Sequence, residues 1–123
     1  MNRATLIGNL TKDPDMRQTQ GGVSVCTFTL AVQRRYADQN GEKQTDFFNI
    51  VCWRSLADNC GKYLTKGSKA GVHGSLQNRS YEDKQGHKRT VTEIIADEVE
   101  FLSRKVETQA PAYEEITDNE LPF

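Results

Sequence analysis

Two histidines, three cysteines and three prolines are all that this chain of 123 residues holds of the residue types that mark special chemistry or chain breaks. The cysteines, Cys26, Cys52 and Cys60, cannot all pair with one another, and their spacings match no zinc pattern. They read as reduced structural thiols. His73 is expected in a strand and His87 in a hairpin, and nothing in the sequence sets either beside a cysteine. Glu82-Asp83 falls in a turn, where two carboxylates are ordinarily solvated. Gly21-Gly22 and Gly71-x-x-Gly74 are not phosphate loops, because neither precedes a helix that opens on a Lys-Ser/Thr pair. No catalytic set, no metal site and no cofactor are therefore expected. No stretch approaches the roughly 20 apolar residues of a membrane helix. The start, Met1-Asn2-Arg3-Ala4-Thr5, lacks the apolar run of a signal peptide, so a cytoplasmic protein is expected.

What is present is a split of charge. The formal net charge is only -1, but residues 1–105 hold all 16 Lys and Arg against 12 Asp and Glu, a net +4. Residues 106–123 hold five acids and no Lys or Arg. A basic body joined to an acidic end is an asymmetry that points to a polyanionic partner. Residues 105–123 also lose periodicity and contain Pro111 and Pro122, which reads as a flexible tail. The expected division is a barrel domain over 1–104 and an acidic tail over 105–123.

Within the body, period-two alternation dominates. Residues 3–10 read as a strand, and Lys12-Asp13-Pro14-Asp15 as a turn. Over 23–36, Cys26, Phe28, Leu30 and Val32 alternate with Thr27, Thr29 and Ala31, the pattern of a long strand with one buried face. Asp38-Gln39-Asn40-Gly41 supplies a hairpin turn, since Asn-Gly adopts positive φ readily. A strand over 46–54 follows. Ser55 is the expected N-cap of a short helix carrying Leu56, Ala57, Cys60, Tyr63 and Leu64 at helical spacing, weakened by Gly61 and ended at Lys66-Gly67. Strands over 68–82 and 88–102 flank a turn at Lys84-Gln85-Gly86-His87. Gly8, Gly71 and Gly74 interrupt strand patterns, as bends and bulges do. So many long strands in so short a chain predict closure, which removes exposed edges. The expectation is an all-β, five-stranded OB-fold barrel with one short helix between its third and fourth strands.

The aromatic residues carry the functional signal. On strand 46–54, Phe48, Ile50 and Cys52 suit the core, which leaves Phe47, Asn49, Val51 and Trp53 on the open face. Gln77, Arg79 and Tyr81 share a face further on, and Tyr36 directly follows Arg34 and Arg35. Rings interleaved with cations on an exposed sheet suit a single strand of nucleic acid. Bases stack on rings regardless of sequence, and cations follow the phosphates. A duplex hides the faces of its bases. Phe48 is assigned to the core or to a subunit contact.

The chain resembles the bacterial single-stranded-DNA-binding proteins. The matching segments are Asn2-Arg3 to Leu10 with Asp13-Pro14, Phe28-Thr29-Leu30-Ala31-Val32, and Asp46-Phe47-Phe48-Asn49 with Trp53. Lys66-Gly67-Ser68, Arg79-Ser80-Tyr81-Glu82 and the end Glu120-Leu121-Pro122-Phe123 complete the set. The resemblance implies an OB-fold homotetramer that wraps single-stranded DNA in replication, recombination and repair, in a bacterial cell or from a phage or plasmid gene. It implies stacking roles for Tyr36, Phe47, Trp53 and Tyr81, and basic positions near the DNA at Arg3, Lys66 and Arg79. Arg34, Arg35, Arg54 and Lys84 join them by placement. It also implies that Asp118, Glu120, Leu121, Pro122 and Phe123 dock partner enzymes. Two departures stand out: the stretch between body and tip is short, and Asn119 occupies a position where a third acid is common.

Two other classes fit the sequence less well. A protein-interaction subunit built on the same barrel would use the rings as interface, but the acidic tip argues against it. A small nuclease would need metal-binding carboxylates on one strand face, and the sequence offers none.

Overall fold

The computed structural model describes residues 1–103. It contains six strands and one helix: β1 Ala4–Leu10, β2 Asp15–Gln18, β3 Ser24–Ala37, β4 Lys43–Trp53, α1 Arg54–Tyr63, β5 Lys69–Glu82 and β6 Lys88–Phe101. The sheet runs β1-β5-β6-β4-β3-β2, and β1 also pairs with β3. That last pairing, Asn9 opposite Ala31 and Leu10 opposite Leu30, closes the ring β1-β5-β6-β4-β3. All neighbours are antiparallel except β4 and β6, which run parallel at Asn49, Ile50 and Val51. The five-stranded closed barrel with a helix between its third and fourth barrel strands is the OB fold.

β2 is an element that the sequence reading lacks. It adds four exposed residues to the edge of β3 beyond the point where β1 leaves it, with Met16 opposite Cys26. The sulfur of Met16 then lies over Gly61, where a Cβ would collide with it. A side chain at Gly61 would require the Met16 side chain to move aside.

The barrel is filled from all five strands of its closed ring. Leu10, Cys26, Phe28, Leu30, Ile50, Cys52, Val72, Ile94 and Val99 are buried together with Ala57, Cys60 and Leu64 from α1. Alternation explains the strand contributions, since inward residues recur every second position. Tyr63, read as part of the buried helical stripe, is instead exposed, with its ring tilted against Phe101 at 5.8 Å. The expected N-cap is corrected too. The strand β4 runs without a loop into α1, so Trp53, extended at φ -124 and ψ 150, is the capping position and makes no side-chain bond. Arg54 turns the corner at φ 62, and Ser55 is already inside the helix.

Three hairpin loops share one construction in space. In Thr19–Val23, Asp38–Glu42 and Asp83–His87 the backbone N–H of the first residue donates to the carbonyl of the fifth, and its carbonyl accepts from the glycine at the fourth. Gly22, Gly41 and Gly86 have φ of 85, 81 and 82. These are type I turns followed by a left-handed bulge residue, not the two-residue Asn-Gly turn. Asp38 Oδ1 accepts the N–H groups of Asn40 and Glu42, and Asp83 Oδ1 those of Gln85 and His87, each at 2.9 Å. Those bonds hold both carboxyls below their usual 3.8.

Of the three strand glycines, two are steric necessities. A Cβ on Gly8 would strike the Ala31 carbonyl where the barrel closes, and one on Gly74 the Ile95 carbonyl at the irregularity between His73 and Gly74. Gly71, also expected at a bend, meets only ordinary contacts in regular pairing. The acidic tail of 105–123, with its tip at 118–123, lies outside the described residues. Among the described residues no helix is long and apolar enough to cross a membrane.

Candidate nucleic-acid interface

The alternation of β4 places its rings. Ile50 and Cys52 are 0 % exposed, while Phe47 is 64 % and Trp53 41 % exposed. They stand six residues apart on one face of a strand, about 20 Å at the usual rise. Between them lie Asn49 and Val51, and their neighbours on β3 are Ala31, Thr29, Thr27 and Val25. Phe48 is half-buried and packs against the core.

Tyr36 and Tyr81 stand on the two long arms of the barrel. Tyr36 is 77 % exposed near the end of β3, past the irregularity that follows Gln33, with the Arg35 guanidinium 5.6 Å from its ring centre. Tyr81 is 45 % exposed near the end of β5, with the Arg79 guanidinium 5.9 Å from its ring. Two of the four rings thus carry an arginine on the face, a geometry that attracts a cation to the ring quadrupole.

The basic residues differ in their surroundings. Arg79 bonds Glu93 through Nε at 3.3 Å and Nη2 at 3.0 Å. Arg34 grips both oxygens of Asp46 at 2.9 and 3.0 Å and holds that carboxyl below its usual value. By alternation this pair lies on the side of Val32 and Phe48, opposite Phe47. Arg3 bonds Asp97 at 3.0 Å. Arg54 is exposed at its left-handed corner, and Lys84 is exposed in the β5–β6 hairpin. Lys66 is exposed in the turn after α1, its N–H bonded to Asp13 at 2.8 Å.

A groove of about 590 Å³ crosses β3, β4 and β6, with Thr29, Asn49, Val51, Arg79 and Glu93 among its lining. Lys12 and Arg17 line it as well. Of the basic residues expected from sequence, Arg79 alone reaches this groove. Lys12, Arg17 and Glu93 were missed, and Asn49, placed on the open face, was given no role. Arg17 could be found only by recognising β2, and the pairing of Glu93 with Asn49 only from the parallel register of two strands far apart in the chain.

The cysteines form a buried group. Cys26 and Cys52 are cross-strand partners, and Cys52 Sγ is 3.7 Å from Cys60 Sγ. Burial pushes the Cys26 thiol up to about 12, and the bond with Cys60 raises Cys52. All three are free thiols in the core. Among the described residues no group of three His, Cys, Asp or Glu side chains is arranged to hold a metal.

An OB barrel of this kind, with rings left exposed on an outward sheet and arginines beside them, defines a binding protein of the OB class. The chain belongs to the single-strand binding protein family, whose model matches residues 1–102. The chain is 54 % identical over 105 residues to single-stranded DNA-binding protein 2 of Listeria monocytogenes, a match covering 85 % of this chain and 66 % of that protein. It is 56 % identical over 102 residues to the single-stranded DNA-binding protein of Bacillus cereus, covering 83 % and 60 %. Single-stranded DNA-binding protein 1 of Staphylococcus aureus is 49 % identical over 117 residues, covering 94 % and 75 %. The chain spans less than two thirds of the length of the first two relatives. The family is one of binding proteins, not of enzymes.

Proposed function

We propose that this chain binds single-stranded DNA without sequence preference and protects it during bacterial replication, recombination and repair. The observation that carries the reading is the outward placement of Phe47 and Trp53 on a strand whose inward Ile50 and Cys52 are fully buried. A core does not need those rings, and bases do. The names of the relatives support the same ligand. In this reading Tyr36, Phe47, Trp53 and Tyr81 stack bases, and Arg3, Arg34, Arg35, Arg54, Lys66, Arg79 and Lys84 answer phosphates. Arg3, Arg34 and Arg79 exchange carboxylate partners for phosphates as DNA arrives, which costs some affinity, and the neutralised phosphates release counterions.

The proposal extends to assembly and partners. Residues 1–104 act as the binding domain of a homotetramer in the cytoplasm, associated with the nucleoid. Asp118, Glu120, Leu121, Pro122 and Phe123 form a tip that recruits other DNA-processing enzymes, an apolar segment beside acidic side chains suited to a basic-rimmed pocket.

Trp53 is the sole tryptophan, so titration with oligothymidine followed by its fluorescence tests the ligand. Saturable quenching that weakens with salt is expected. Absence of both quenching and binding would overturn the reading. Light scattering tests the tetramer, and loss of partner capture on deleting 114–123 tests the tip.

A further inference from the structure

Glu93 is out of place in a groove for a polyanion. It lines that groove, its side chain only 16 % exposed, and like charge there repels phosphate. In the free protein Arg79 answers it bidentately. If Arg79 turns to a phosphate, a half-desolvated carboxylate is left without its cation, and such a group is costly until an N–H reaches it. Beside it stands Asn49, its direct partner across the parallel strands β4 and β6, about 4.8 Å away along the sheet. Thr29 Oγ1 donates to Asn49 Oδ1 at 3.3 Å, which fixes the amide and leaves Nδ2 as a donor without a protein partner among the described residues.

An acceptor beside a donor, both lining a groove of about 590 Å³, matches the Watson–Crick edge of any unpaired base. Cytosine offers N4–H beside N3, adenine N6–H beside N1, guanine N1–H beside O6, and thymine N3–H beside O4. We propose that Glu93 and Asn49 together hold the Watson–Crick edge of one unpaired base, and that Arg79 passes from Glu93 to a phosphate as the base arrives. This rests on the reading of the protein as a binder of single-stranded DNA. It adds a subsite that tolerates every base yet rejects a paired one, because pairing uses the same edge. Stacking rings alone do not make that distinction at the base edge.

The probe is oligothymidine against an oligomer of equal length built from N3-methylthymidine, which keeps the ring faces and phosphates but loses the only N–H of the base. Wild-type protein should bind the methylated strand at least about fivefold more weakly, the lower end of what a specific base contact contributes. In Glu93→Ala the ratio of the two affinities should return to near one, while Glu93→Gln, which keeps an acceptor oxygen, should retain most of the penalty. Equal binding of both strands by the wild type would overturn the subsite and leave single-strand binding intact. A penalty of the same size in Glu93→Ala would also overturn it, by assigning the effect to bulk elsewhere. Failure of the wild type to bind oligothymidine would sink the underlying reading itself.

Discussion

The two faces of β4 are built from similar materials and have opposite fates. Phe47 and Phe48 are the same residue type side by side, yet Phe47 is open to solvent while Phe48 packs against the core. Parity along the strand decides this, not hydrophobicity. The inward set, Ile50 and Cys52 with Phe48, packs into the core and holds the barrel together. The outward set carries two large rings, an amide and Val51. Val51 is itself buried, set between Thr27 on β3 and Ile95 on β6. One face of a strand can therefore serve stability while the other, one residue out of phase, remains available for a ligand.

That contrast can be broken from either side. The largest effect is expected inward: Ile50→Ala should cost about 2–5 kcal/mol of folding stability, since it opens a cavity in a closed barrel. Denaturant unfolding measures it, and the affinity of the remaining folded protein for oligothymidine should be unchanged. On the outward side Arg79→Ala should cost less stability than that, because Arg79 itself is exposed, although it leaves the half-desolvated Glu93 carboxylate without its cation. It should lower the slope of log affinity against log salt by about 0.7, the share of one phosphate on a single strand. A slope equal to that of the wild type would remove Arg79 from the phosphate path.

The smallest effect belongs to the hairpin loops, away from both faces. Asp38 and Asp83 have carboxyls held below 3.8 by N–H bonds of their own loops. A depressed value means that the stabilisation is complete above the unfolded-state pKa of about 3.9 and disappears as pH falls through the lower folded value. An NMR titration of the Gly41 and Gly86 amides from neutral into acid should show a local transition below 3.8, with the Ile50 amide unmoved. A midpoint at or above the usual carboxyl value would contradict the bonding described.

Much of this was legible in the sequence, and for a physical reason. Long strands with one buried face write their parity into the chain, so the inward and outward residues of β3 and β4 could be read directly. The turn at Asp38–Gly41 was legible as a turn. Its bulge was not, because that depends on which residue takes positive φ. β2 was illegible: four exposed residues carry no alternation. Ser55 misled because capping preference is local, whereas the absence of a loop between β4 and α1 is set by the barrel. Asn49 beside Glu93 could not be read at all, since the register of parallel strands 44 positions apart is a property of the closed fold.

The central claim is that the exposed rings of β4 serve the ligand and not the core. The double variant Phe47→Ala, Trp53→Ala tests it most directly, with thermal unfolding and the affinity for a fluorescently labelled oligothymidine measured on the same preparation. The account predicts a loss of more than about 1 kcal/mol in binding, with a melting temperature close to that of the wild type. A collapse of the melting temperature with undiminished affinity in the folded fraction would contradict it and assign both rings to the core.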